Sequence, residues 1–265
     1  MLKITHSSGF FSNCSYRLYE IIKYFNQNNK VPDTIDSTEQ FKLYKPHCKK
    51  DNDITNDYFI NNNILLEYKQ FIDFHWLFQF VNYKKLNYKL LAPFIDKYFT
   101  PTEEIYNIIT TLETKYNIDY QNTCVLFHRG NDKITETNIC NYNETIEKAN
   151  IIYNKDNNIR FLIQSDEIEF INMMREKFPN NIYFKQEIRA MTKCLSSVDL
   201  ATKDIDNNNV NYKFSKNFLA ITIIMSRCKY IVCGTGNCSL WIMFYRKNAN
   251  NIFQFIENKW CNNLL

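Results

Sequence analysis

From residue 123 onward, short apolar runs alternate with longer amphipathic ones. TCVLFHRG, IRFLIQSD, NIYFKQ, KYIVC and NIFQF have the length and β-branched or aromatic content of strands. Between them, YNETIEKANIIYNK, EIEFINMMREKF, SKNFLAITIIMSRC and CSLWIMFYRK repeat apolar residues at helical spacing. The strands are nearly continuous in hydrophobicity, which predicts a parallel sheet covered by helices on both faces. The first half reads differently. MLKITH predicts a short strand, and a Gly-Ser turn leads to a helix carrying Leu18, Ile21, Ile22 and Phe25, with Ser12, Asn13 and Ser15 as capping types at its start. Polar residues dominate to about residue 63, ILLEYKQFIDFHWLFQFV supplies aromatic core, and PTEEIYNIITTLETKY predicts a helix with Pro101 in its first turn. The expected organisation is an α/β chain, with a smaller N-terminal α/β lobe at 1–118 and a Rossmann-like lobe at 119–265.

Composition narrows the class. With 45% hydrophobic and 16% aromatic residues the 265-residue chain is globular and long enough for a substantial core. Its 32 basic and 28 acidic residues are dispersed, with no stripe of Lys and Arg, so no nucleic-acid partner is expected. Nine cysteines, an odd number without zinc spacing, read as reduced thiols. The first residues lack a signal-like apolar run and FLAITIIM is too short to span a bilayer, so a soluble cytoplasmic protein is expected.

Glycine is scarce: four residues, where average usage would give roughly 18. All fall in three segments, HSSGFFSNCS, VLFHRGNDK and CGTGNCS, and such economy points to backbone that needs positive φ or close approach. In a parallel sheet, ligands bind at the carboxyl ends of strands. His128-Arg129, Ser165-Asp166 and Gly234-Thr235-Gly236-Asn237 all lie at such ends. Arg129 offers a planar fork for phosphate or carboxylate, or closes its loop by an ion pair with Asp132. The 234–239 turn opens a helix with donor side chains on Thr235, Asn237 and Ser239, which suits phosphate, though a capped turn needs the same residues. Ser165 and Asp166 either contact a nucleoside or cap the next helix. Glu136 is a general base if buried beside substrate, and otherwise a loop acid. The triplets Asp51-Asn52-Asp53 and Asp204-Ile205-Asp206 lie in polar surroundings and read as chance rather than metal ligands. His6 and His75 have no ligand partners at useful spacing.

Taken together, VLFHRGNDK, Glu136, a strand ending in Ser-Asp and a final strand–GTGNCS–helix resemble the donor half of the inverting fucosyltransferase superfamily, which includes α-1,6-, nodulation and protein O-fucosyltransferases. The resemblance covers about residues 120–256. It implies a GT-B-like fold, GDP-fucose as donor, no metal and no cofactor. By position it makes Arg129 the donor-binding arginine and Asp132 the acid of its motif. Thr235, Gly236, Asn237 and Ser239 become the phosphate turn and Asp166 a nucleoside contact. The GFFSNCS turn, with Gly9 and Ser12, is similar to the loop facing the site from the other lobe. The family places His two residues before the arginine, where this chain has Phe127, and its base falls at Thr137, next to Glu136. The implied activity is transfer of a sugar to a glycan or protein hydroxyl. A catalytically inactive glycan- or nucleotide-binding module is the alternative.

Overall fold

The computed structural model describes residues 1–66, 68, 70–201 and 207–265. The triplet Asp204-Ile205-Asp206 lies outside them. In the first half, β1 (Leu2–Lys3) pairs in parallel with β2 (Ile35–Asp36), and α1 (Phe10–Asn28) runs between them. β3 (Phe59–Ile60) pairs antiparallel with β4 (Thr100–Pro101), flanking α2 (Tyr88–Tyr98), and α3 (Glu103–Tyr116) follows. The second half runs β5 (Thr123–His128), α4 (Tyr142–Lys155), β6 (Arg160–Ser165), α5 (Ile168–Lys177) and β7 (Asn181–Ile182). It continues through α6 (Val198–Ala201), α7 (Asn207–Arg227), β8 (Tyr230–Gly234), α8 (Asn237–Arg246), β9 (Ile252–Ile256) and β10 (Lys259–Asn262).

Six strands form one sheet in the order β10-β9-β8-β5-β6-β7, parallel except for the β9–β10 pair. The chain therefore winds outward from β5 through β6 to β7, then returns by α7 to lay β8 and β9 on the other side. The reversal falls between β5 and β8, where neighbouring loops diverge and leave a crevice.

β5 shows why these sequences make a buried strand. Val125 and Phe127 point into one core, which continues through α7, α8 and the whole first half; Cys124 and Leu126 point into a second core under α4 and α5. All six of its residues are buried. The first core joins both halves without a break, from Leu18 on α1 and Phe94 on α2 to Leu219 on α7 and Trp241 on α8.

The predicted elements of the second half are present, with β7 shortened to two residues. β2, β3, α2, α6 and β10 lie where the sequence pattern gave no prediction. The first helix begins earlier than expected. Gly9 is its N-cap, and Ser12, Asn13 and Ser15 lie inside it. Burial explains the shift: Phe10 packs on Tyr44 and Tyr58 at centroid separations of 5.5 and 4.9 Å, which draws the aromatic pair into the first turn. Asn13 instead clamps the preceding loop, accepting from the Ser8 amide and donating to its carbonyl, both at 2.9 Å. Pro101 likewise belongs to β4, and Thr102 is the N-cap of α3. Asp53 accepts from the Ser37 and Thr55 amides at 2.9 Å, a loop-pinning role. All nine cysteines are free. Among the described residues no helix is long and apolar enough to cross a membrane.

Candidate functional site

β5 runs directly into a 3₁₀ turn, Asn131–Thr135, and the junction is built around carboxylates. Arg129 donates from Nε to Asp166 and from Nη2 to Asp132, each at 3.0 Å. The other oxygen of Asp166 accepts the Gly130 amide at 3.0 Å. Burial opposes the guanidinium charge, but Asp166 and Asp132 outweigh it and hold the Arg129 pKa raised. Its Nη1 has no hydrogen-bond partner among the described residues, so a donor edge is left for a ligand.

Behind this turn lies Glu167, fully buried. It accepts from Tyr142 Oη at 2.6 Å, from the Asn131 amide at 3.1 Å, and pairs with His128 Nε2 at 3.0 Å. Burial alone would raise the carboxyl pKa, yet these partners hold it down at about 2. Burial likewise works against a charged His128, and its bonds to Cys140 and Glu167 nonetheless raise it to about 9. Gly130 is required by this packing and not by positive φ, because a Cβ there would sit 1.9 Å from the Glu167 carboxyl carbon. Gly236, in contrast, does have φ of +150°.

Across the crevice, β8 ends in the 234–239 turn. Tyr83 Oη accepts the Gly236 amide at 2.9 Å and donates to its carbonyl at 3.0 Å, while Thr235 donates to the Gln79 carbonyl. Gly236 is the N-cap of α8 and no side chain caps that helix. Among the described residues the amides of Asn237, Cys238 and Ser239 have no acceptor. α1 begins in the same cleft: Phe10 gives its amide to Tyr44 Oη at 2.8 Å, and those of Phe11 and Ser12 have no acceptor among the described residues. Neither helix has an acid in its first turn. Two positive dipole ends therefore face one space from opposite halves of the chain. The helices are tied together there, Trp241 Nε1 donating to Ser15 Oγ at 2.9 Å and Ser15 Oγ to Asn237 Oδ1 at 2.7 Å.

The space is a cavity of about 540 Å³. Arg129, Asp132 and Glu136 line it from one side, Thr235, Gly236, Asn237 and Ser239 from another, and Gly9 and Ser12 from the third. Ser165 and Asp166 are not on this wall. They line a smaller pocket that shares Arg129, Tyr44 and Phe127 with the main one. Both oxygens of Asp166 are spent on the β5 turn, and Ser165 Oγ accepts the Glu167 amide at 3.0 Å. Glu136 is exposed at the cleft and paired with Lys133 Nζ at 2.5 Å.

Lys133 itself is a site residue that motif reasoning missed. It is almost wholly buried, bonded to Gln79 at 3.1 Å and Glu136, and its Cε would lie 3.0 Å from a Cβ on Gly236. Its pKa is lowered by burial, against the pull of Glu136. No local signal marks it, because a lysine in a polar turn reads as solvated until the fold buries it. Tyr44 and Asp199 also line the cavity, joined by a hydrogen bond of 2.8 Å. The cavity wall thus offers an arginine, a buried lysine and five unpaired helix-terminal amides, an arrangement suited to a multiply charged anion such as a diphosphate.

No family model matches the chain, and no curated protein matches it in sequence. Among solved structures it is similar to NodZ α-1,6-fucosyltransferase soaked with GDP-fucose, at 10% identity over 67% of this chain and 54% of that one, with a TM-score of 0.41. Fucosyltransferase NodZ from Bradyrhizobium matches at 10% identity over 66% and 51%, with a TM-score of 0.42. A variant of Arabidopsis thaliana FUT1 in complex with GDP matches at 9% identity over 63% and 35%, with a TM-score of 0.36. The chain spans about half the length of the two NodZ chains and about a third of the FUT1 chain.

Proposed function

We propose that the cleft binds the diphosphate of a nucleotide sugar and that the protein is a metal-independent, inverting glycosyltransferase with a GT-B-like, two-lobed plan. GDP-fucose is the first donor to test, on the strength of the sequence resemblance. One observation carries the reading. Arg129, fixed between Asp132 and Asp166 at the end of β5, faces the unpaired amides of α8 across the point where strand order reverses.

In the reaction, the acceptor oxygen bonds to the anomeric carbon from the face opposite the leaving group. The bond from that carbon to the diphosphate oxygen breaks, and its electron pair stays on the diphosphate. Arg129, Lys133 and the α8 amides stabilise that growing charge without moving, since each is already held in place. The acceptor proton passes to a base, for which Glu136 is the candidate.

Calorimetric titration with GDP, GDP-fucose, UDP and UDP-GlcNAc, run beside Arg129→Ala, tests the reading. Binding of a guanine nucleotide that the variant loses is the expected result. Where transfer is measurable, the same variant should lose about 10²–10³ in rate with its fold intact. Selective uridine binding would replace the donor, and silence with all four nucleotides would overturn the transferase reading.

One observation favours a binding-only module as the second reading: Glu136 is neutralised by Lys133. Slow release of GDP from GDP-fucose without acceptor separates the two, because a module without chemistry leaves the donor intact.

A further inference from the structure

Beside the cleft, on the first half of the chain, five aromatic rings are grouped at the surface. His6 stacks on Tyr16 at 4.4 Å between ring centroids and 20° between planes. Tyr16 lies 5.9 Å from Tyr19 and 6.4 Å from Trp76. Tyr19 is 4.8 Å from His75, and His75 is 5.5 Å from Trp76, which closes the circuit. α1 supplies the tyrosines, the 3₁₀ turn Trp76–Phe80 with its N-cap His75 supplies two more rings, and His6 comes from the loop between β1 and α1.

All five rings are only partly buried. The contrast with the other two tryptophans is informative. Trp241 is fully buried and Trp260 packs against the second core, whereas Trp76 belongs to neither. Trp76 is partly buried, and leaving an edge of its ring at the surface forgoes some of the burial that large aromatic side chains ordinarily gain. Single exposed apolar residues need no explanation, but a contiguous cluster marks an interaction surface. This one is continuous with the cleft, because His6 and Trp76 also line the main cavity.

We infer that the His6–Tyr16–Tyr19–His75–Trp76 platform is a carbohydrate subsite, which holds the acceptor as a neutral glycan chain and presents one of its hydroxyls to the cleft. The occupant follows from the surface chemistry. Flat apolar faces suit the C–H face of a pyranose ring, and the phenol, imidazole and indole groups between them can exchange hydrogen bonds with ring hydroxyls. His6 is kept neutral by burial, which lowers its pKa. One cation reaches the platform, Lys23 Nζ at 5.6 Å from the centre of the Tyr19 ring, and Glu20 balances its charge at 3.6 Å. As an acceptor site the platform rests on the transferase reading; as a glycan site it does not.

The test is binding, so it needs no assay for transfer. The whole chain is applied to an array of neutral oligosaccharides of three or more residues, and the best ligand is titrated by calorimetry and by tryptophan fluorescence. Trp76→Ala and Tyr16→Ala are expected to weaken that ligand about tenfold or more, while Trp76→Phe, which keeps a flat face, retains most of the affinity. Undiminished affinity in Trp76→Ala, or no bound glycan on the array, overturns the inference. A GDP titration of the same preparations separates the two readings: glycan binding without nucleotide binding would leave the platform standing and remove the transferase.

Discussion

The two walls of the cleft are held in different ways. The Arg129 wall is secured within the second half of the chain, by two acids at the end of β6, Asp166 and Glu167, that reach across to the β5 turn. The α8 wall is secured from outside, by Tyr83, Gln79 and Ser15 of the first half. A wall fixed by its neighbouring strand is set once the sheet forms. A wall fixed by the other half of the chain exists only when the two halves are docked. The cleft is thus complete only in the assembled molecule, and its geometry reports on that docking.

The largest way to break the comparison is Gly130→Ala. Its Cβ would collide with a buried, triply bonded carboxylate, so the Arg129 wall has to rearrange. A loss of more than about 4 kcal/mol is expected, read as failure to fold or a collapsed urea midpoint; a midpoint near that of the parent would show the wall to be plastic.

Glu167→Gln comes next, at about 3 kcal/mol, because it removes the buried carboxylate that pairs with His128 and accepts from Tyr142 and the Asn131 amide. It should also change the pH dependence. The raised His128 pKa gives a contribution complete below 6.5 and lost as pH rises through about 9, and the depressed Glu167 pKa gives one complete above 4.5 and lost as pH falls through about 2. The parent is therefore expected to lose stability between pH 6.5 and 9, and urea midpoints across that range should fall less steeply in the variant.

Lys133 bridges the two walls. Lys133→Met is expected to weaken GDP about tenfold, since a charge-assisted bond is removed while the aliphatic stem is kept; unchanged affinity in calorimetry would confine the anion site to Arg129 and α8. The smallest effect belongs to Ser15→Ala, which unties α1 from α8. About 1 kcal/mol is expected in the urea midpoint, with a weaker nucleotide site if docking of the halves sets its geometry and an unaltered one if α8 holds its position alone.

Legibility in the sequence followed the same division. The strands and helices of the second half could be read because nearly continuous apolar strands and 3.6-residue periodicity are local signals. In the first half, Ser12, Asn13 and Ser15 looked like caps, yet burial of Phe10 and Phe11 moved the helix start to Gly9. A propensity near 1 kcal/mol yields to the burial of two aromatic rings.

At the site, residue type alone marked Arg129, Asp132 and the 234–239 turn, since a glycine-poor chain concentrates attention on the few glycines it has. That Gly130 makes room for Glu167, while Gly236 takes positive φ, could be learned only from the packing. Lys133, Tyr83 and Gln79 were invisible for another reason. Lys133 looks like any loop lysine until burial lowers its pKa, and the other two lie about 150 residues from the turn they hold.

By itself, then, the sequence determined the alternation of strand and helix and the strand ends that carry polar and cationic groups, because each depends on neighbours within a few positions. Tertiary structure alone decided which of those ends share a cavity, that a second helix terminus faces α8 from the opposite half, and that Trp76 stands at the cleft mouth and not in a core. Those are long-range contacts, set by how the two halves bury one common hydrophobic face.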